Sequence, residues 1–383
     1  APTHPQSHNM MGIVATETGR PRIGEYHYRK VLELTGERDP IVLANLAWAL
    51  KGQGRMEESR ALYRESIAKG PDIRQSLLGW AQMEEADRQF DAANAQLDAA
   101  EKLFPDDILI AVTRATVLGR MKREEEALAI IDGLAKRLPG GQLNPDHLQL
   151  KGRLLDAIGR YDEAYAAFAE GKRLLREAGG TRYLDAEAAE YIAHLKNFFV
   201  ADRMKLLPRA AARTDVPAPI FVLGFPRSGT TLVEQTLTAH PKIAAGDELP
   251  FVNELTNIAQ RLLNSPLGFP ESLAELWMGD QLSGLDNLRD FYLQRVQQSG
   301  ILEPGRTFFT DKMPLNETHL GFIAMMFPDA PLIHMIRHPL DIMVSAMSNH
   351  FTHGFFCGSA LETAATHYMR IFDLVKSYRN QMS

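Results

Sequence analysis

A chain of 383 residues is long enough for two domains or more, and 45% hydrophobic with 23% charged residues is the composition of an ordinary globular protein. It holds no run of about eighteen apolar residues, so no membrane-spanning helix is expected, and a net charge of −6 argues against a general nucleic-acid binder. The single cysteine, Cys357, excludes an internal disulfide and any multi-cysteine zinc site, and fits a reducing cytoplasm.

Ala1–His8 lacks the charged and apolar layout of a signal peptide, and the chain starts on Ala1 rather than Met. At the other end the helical pattern Thr363–Tyr378 runs out at Ser383 with no closing element. Both ends predict a fragment that has lost sequence on either side.

The first half repeats itself every 34 residues. Leu46-Ala47, Ser59, Tyr63, Ser66 and Pro71 return as Trp80-Ala81, Ala93, Leu97, Ala100 and Pro105, then as Arg114-Ala115, Ala127, Ile131 and Pro139. After an insertion at Gly140-Gly141-Gln142 a fourth copy follows with Gly152, Ala164, Phe168 and Gly171. Small residues at these places let two helices approach closely, and proline ends the second. The pattern resembles the tetratricopeptide repeat. Arg22–Glu37 reads as the tail of an earlier, truncated copy, and the Ala-rich helix Ala186–Leu206 as a cap on the array. Tyr, Leu and Ala at these spacings are core positions; the array as a whole predicts a groove for a peptide or protein partner. Charge runs such as Lys122–Glu126 read as solvated helix faces.

A proline-bearing stretch, Pro208 to Pro219, then links to a segment that alternates apolar runs with helical patterns. The predicted architecture is therefore multidomain: an all-α solenoid with its capping helix over 1–206, a linker over 207–218, and an α/β domain with a parallel sheet over 219–383. Strands are predicted at Ile220–Leu223, Thr307–Thr310 and Leu332–Ile336, and ligands of open α/β sheets sit at the carboxyl ends of such strands.

Four polar clusters fall at or near those ends. The first, Pro226-Arg227-Ser228-Gly229-Thr230-Thr231, follows an apolar strand and opens a helix, with the Gly224-x4-Gly229 spacing of a phosphate-binding loop. Thr230 stands where the triphosphate-gripping lysine would be, so the loop suits an anion but is poorly built for ATP hydrolysis. Arg227 offers fixed, forked donors for phosphate or sulfate oxygens. The second cluster, Gly246-Asp247-Glu248, follows the His240-Pro241 turn. It reads either as a general base for an acceptor hydroxyl or as a solvated turn with Asp247 as a helix cap. The third, Thr310-Asp311-Lys312, offers either a lysine that offsets developing charge or a surface lysine. The fourth spans His334 to Ser345: Arg337 ends a strand, Pro339 opens a helix, and Ser345 lies two turns along it. Arg337 and Ser345 can grip a second phosphate, His338 joins them or caps the turn, and His334 reads as a core histidine.

In this order the clusters resemble the sulfotransferase family that uses 3′-phosphoadenosine 5′-phosphosulfate, nearest to the tyrosylprotein and related Golgi-type enzymes. The arrangement of repeats followed by this domain is similar to that of some bacterial proteins. The resemblance covers Pro219–Ser383 and implies that Pro226, Arg227, Ser228, Gly229, Thr230 and Thr231 hold the 5′-phosphosulfate, while Arg337 and Ser345 hold the 3′-phosphate. It implies Glu248 as general base and Lys312, with Arg227, as stabiliser of the transition state, with no metal. The acidic pair is Asp247-Glu248 rather than two glutamates, which leaves Asp247 as a rival base. The family's C-terminal portion, with further nucleotide contacts, is not in this sequence. The expected activity is sulfuryl transfer to a hydroxyl or amine acceptor, with a peptide or protein tyrosine among the acceptors considered. Two other readings are a non-catalytic repeat scaffold with a degenerate nucleotide-binding domain, and a P-loop kinase, which Thr230 disfavours.

Overall fold

The computed structural model describes residues 3–179, 182–277, 283–302, 304–351 and 355–381. They fall into two compact units, Ala1–Gly171 and Lys172–Ser383.

The first unit is built from antiparallel helix pairs: α1 (Pro5–Glu17) with α2 (Pro21–Thr35), α3 (Pro40–Lys51) with α4 (Met56–Lys69), α5 (Arg74–Ala86) with α6 (Phe90–Leu103), α7 (Ile108–Arg120) with α8 (Glu124–Arg137), and α9 (Pro145–Ala157) with the start of α10 (Tyr161–Gly179), whose residues from Lys172 on fall in the second unit. Side chains set several of the helix starts. Asp39 accepts from the backbone N–H groups of Ile41 and Val42, Asp107 from those of Leu109 and Ile110, and Asn144 from that of His147. Proline follows two residues after α4, α6 and α8, where the chain cannot continue a helix.

A small residue of the first helix and a large one of its partner recur at matching places. Gly12 meets Tyr28 and Gly152 meets Phe168, while Ala47 shares a core cluster with Tyr63, Ala81 with Leu97, and Ala115 with Ile131. A Cβ at Gly152 would lie 2.3 Å from the Phe168 ring, and one at Gly12 2.6 Å from that of Tyr28. The close approach of the two backbones therefore depends on the absent side chain. The Gly12–Tyr28 pair also shows that the first copy is a complete helix pair and not the truncated tail expected from Arg22–Glu37. Its small residue is Gly12, outside the span the periodicity picked out.

The second unit holds α11 (Asp185–Phe198), the single turn α12 (Ala201–Met204), and a four-stranded parallel sheet in the order β2-β3-β1-β4. Its strands are β1 (Ala218–Leu223), β2 (Ile243–Ala244), β3 (Phe308–Lys312) and β4 (Leu332–His334). β1 is central, and Ile220–Leu223 is buried throughout, as a strand covered on both faces requires. Helices α13 (Thr230–Thr238), α14 (Phe251–Leu262), α15 (Gly284–Gln298), α16 (Leu320–Met326), α17 (Pro339–Met347) and α18 (Leu361–Gln381) complete the unit. Phe221, Tyr292, Phe309, Phe322 and Phe327 are among the large side chains of its core.

Two expectations change here. The helix from residue 186 falls in the second unit, where Ile192, Leu195, Phe198 and Phe199 of α11 and its end belong to the same core as Phe221 and Phe309. Strand β3 also runs further than Thr307–Thr310 suggested, because Asp311 and Lys312 pair with Phe221 and Val222 and are themselves buried. These polar residues complete the ladder with β1. No helix among the described residues is long and apolar enough to cross a membrane.

Candidate active site

Strands β3, β1 and β4 lie side by side and parallel, so the segments after them emerge at one edge of the sheet. After β1 the chain turns through Gly224–Gly229 into α13. Gly224 has φ 150°, and a Cβ there would sit 2.7 Å from both the Met335 carbonyl oxygen and Ser228 Oγ. Only glycine lets the loop pass so near the segment after β4. Gly229, at φ 104°, precedes the first turn of α13, whose leading N–H groups lie ahead of the helical ladder and carry the positive end of its dipole. Ser228 is buried, and its Oγ has no hydrogen-bond partner. A buried hydroxyl without a partner costs free energy, which an anion oxygen in the loop would recover. Thr230 is buried, while Thr231 and Arg227 are exposed. The loop thus fits a bound oxyanion.

Arg227 adopts φ 75°, unusual for a residue with a side chain, and this turns its guanidinium toward α17. Its Nε donates to Ser345 Oγ at 2.9 Å, and its carbonyl oxygen accepts from Arg337 Nη1 at 3.4 Å. The first and fourth sequence clusters are therefore in contact. Arg337 is exposed and also pairs with Asp341, in the first turn of α17. His338 is exposed at the start of α17 and makes no side-chain cap bond. His334 bonds through Nε2 to the buried carboxylate of Glu317 at 2.7 Å, consistent with its reading as a satisfied core residue.

Lys312 ends β3 with its side chain only 3% exposed and its ammonium between two carboxylates. Nζ lies 2.8 Å from Asp247 Oδ1 and 2.9 Å from Glu248 Oε1. Burial alone would lower its pKa; the hydrogen-bonded acids outweigh that, and the group is held above its ordinary range. Lys312 is thus no surface lysine, and Asp247 caps no helix. Asp247 instead sits at φ 59° in a turn, its carbonyl accepting from Lys312 N at 3.0 Å. Both acids of the pair are more than half exposed, Asp247 at 81% and Glu248 at 57%.

Behind β3 lies a buried polar chain that the sequence did not reveal. Tyr292 donates to Asp311 Oδ2 at 2.7 Å, Asn316 Nδ2 to Asp311 Oδ1 at 3.3 Å, and His319 Nδ1 lies 3.3 Å from Asn316 Oδ1. Burial pushes Asp311 up to about 7; the Tyr292 hydroxyl opposes this, and the Glu234 carboxylate adds to it. Burial likewise brings His319 down to about 4. A second missed group is Glu234, buried on α13 and bonded to Thr310. Its spacing of four from Thr230, on the inward face of a helix, was the available signal.

Residues 219–381 match the sulfotransferase family. Over 317 residues, 81% of this chain and 35% of the relative, it is 28% identical to an uncharacterised protein of Aquifex aeolicus. Over 161 residues it is 29% identical to protein-tyrosine sulfotransferase 1 of Danio rerio, covering 42% of this chain and 43% of that one. The chain therefore spans less than half the length of these relatives. A thermophilic TPR protein of Thermus thermophilus is similar over 46% of this chain and 93% of its own, at 18% identity and a TM-score of 0.40. The chain joins an array of helix pairs with a 34-residue period to a segment, residues 219–381, that matches the sulfotransferase family.

Proposed function

We propose that the protein transfers a sulfuryl group from 3′-phosphoadenosine 5′-phosphosulfate to a hydroxyl or amine acceptor. The observation that carries this reading is the contact of Arg227 with Ser345 at 2.9 Å beside the loop that leaves Ser228 Oγ unpartnered. It supports one site with two adjoining anion grips, the requirement of a donor bearing phosphates at both ends of its ribose. Pro226, Arg227, Ser228, Gly229, Thr230 and Thr231 would hold the 5′-phosphosulfate, with Arg337 and Ser345 on the 3′-phosphate.

In the reaction an acceptor oxygen attacks sulfur in line as the bond from sulfur to the bridging oxygen breaks, leaving 3′-phosphoadenosine 5′-phosphate. Glu248, paired with Lys312 and open to solvent, accepts the acceptor's proton. Lys312 and Arg227 offset the charge that develops on the departing oxygen. Positioning supplies much of the remaining acceleration. The sulfuryl group carries less charge than a phosphoryl group, so the reading assigns no metal.

The likeness to a protein-tyrosine sulfotransferase supports a tyrosine in a peptide or protein as acceptor, with the repeats holding that substrate or a partner. The buried free thiol of Cys357 fits a reducing, cytoplasmic setting. Titration calorimetry with 3′-phosphoadenosine 5′-phosphate and with ATP tests the proposal. Tight binding that depends on the 3′-phosphate is expected; binding of ATP alone, or of neither nucleotide, overturns it.

A further inference from the structure

The two segments with the clearest chemistry, the anion loop and the acidic turn, are tied together by a carboxylate that belongs to neither. Glu234 lies on α13, one turn after Thr230, and is buried. Its Oε1 accepts from Thr310 Oγ1 at 2.6 Å and from Asp247 N at 3.0 Å. Thr310 Oγ1 in turn accepts from Gly246 N at 3.0 Å. Both successive N–H groups of the turn thus end on one buried side chain, directly or through one hydroxyl. The approach is close: a Cβ on Gly246 would fall 1.8 Å from the Thr310 carbonyl oxygen.

We propose that Glu234 is a positioning residue that locks the Asp247-Glu248 turn to the helix of the anion loop. The proposal rests on the sulfotransferase reading for its catalytic consequence, though not for the lock itself. Asp247 is held at φ 59°, a conformation that residues with side chains adopt reluctantly, so the turn needs outside support. Glu234 supplies it through Asp247 N, and Lys312 N does so through the Asp247 carbonyl. A carboxylate accepting two hydrogen bonds away from water is a strong and directional anchor. Without it Glu248 loses its fixed distance from Lys312, while Gly224–Thr231 keeps its own glycine-dictated path.

Two variants and two readouts test this. Glu234→Leu removes both acceptors; Glu234→Gln keeps one oxygen that can accept them. In the Leu variant, amide hydrogen exchange across residues 243–249 should quicken by at least about tenfold while that of 224–231 stays as it was. Turnover should fall by roughly ten- to a hundredfold through kcat, with the affinity for 3′-phosphoadenosine 5′-phosphate within about threefold of the parent. The Gln variant should recover most of the protection and of kcat. Unchanged exchange in the Leu variant overturns the lock. Nucleotide affinity that falls in step with kcat also overturns it, because Glu234 would then support the anion loop. If the Leu variant does not fold, Thr310→Val, which removes only the relaying hydroxyl, should show the same exchange signature at Gly246, and its absence overturns the proposal. If the parent transfers no sulfuryl group the proposed function fails, whereas the exchange comparison still decides the lock.

Discussion

Arg227 Nε and Ser345 Oγ are 2.9 Å apart although 118 residues separate them in sequence. The contact joins the loop after β1 to the helix after β4, two elements that share no local sequence. It exists because β1 and β4 are parallel neighbours, which carries both following segments to the same edge of the sheet. Through its carbonyl the same arginine also meets Arg337. One residue thereby touches both members of the motif proposed for the 3′-phosphate.

From this contact, Arg337→Ala should weaken 3′-phosphoadenosine 5′-phosphate by about tenfold or more, the worth of one hydrogen bond to a charged group. Adenosine 5′-phosphosulfate, which lacks the 3′-phosphate, should bind the variant and the parent alike. Calorimetric titration of both nucleotides checks this, and equal losses for the two would remove Arg337 from the 3′-phosphate role.

The acidic pair makes a second, sharper case. Glu248→Gln should lower turnover by roughly a hundred- to ten-thousandfold, the usual range for a general base, with nucleotide affinity retained. Asp247→Asn should cost far less. Rates of sulfuryl transfer measured for both variants distinguish them; the reverse order would make Asp247 the base.

In the repeats, Gly152→Ala places a Cβ 2.3 Å from the Phe168 ring, so the helices must part or the ring must move. The expected loss is about 1–3 kcal/mol by urea unfolding. Phe168→Leu in the same chain should return much of it, since Ala81 already shares a core cluster with Leu97 at the matching place. Losses that simply add in the double variant would show that the clash is not the cause.

The buried polar chain predicts an opposed pH dependence. His319 of that chain, and His367, which lies outside it and bonds to Tyr183, are each brought down to about 4 from 6.5, in both cases mainly by burial. Unfolding lets them take up protons, so their contribution is complete above pH 6.5 and is lost as pH falls toward 4. Asp311 has the opposite sign: raised from 3.8 to about 7, it favours the fold at low pH, and that contribution disappears as pH rises to 7. Asp311→Asn removes the opposing group, so stability should climb more steeply between pH 4 and 6.5, by up to about 1.4 kcal/mol per pH unit. Urea midpoints at pH 4.5, 5.5 and 6.5 read the slope. An unchanged slope would mean that Asp311 stays ionised in the folded protein.

Much of this organisation was legible in the chain because it is written in local spacing. The 34-residue period, the insertion at Gly140–Gln142 and the proline stops located the helix pairs, and the Gly224-x4-Gly229 run located the anion loop. Such features depend on backbone geometry within a few residues, which residue type dictates directly. The polar ends of strands were harder. Asp311 and Lys312 have the composition of a loop, yet they complete β3 because the parallel neighbour β1 pairs with them. The helix from Asp185 has an apolar face that suits a cap as well as a core, and its packing with the sheet's hydrophobic residues is not written in local spacing.

By itself, then, the sequence determined the repeated small and large residues, the glycines of the loop, and the four polar clusters near the strand ends. Their mutual distances came from the tertiary structure. Strand order β2-β3-β1-β4 brings Arg227 to Ser345, burial turns Lys312 from a surface cation into the centre of an ion-paired triad, and Glu234 becomes the anchor of a turn 13 residues away. The reason is that hydrogen bonds and ion pairs act over a few ångströms. Which groups come that close is set by the parallel sheet and its core, a property of the whole domain that no single stretch of residues holds.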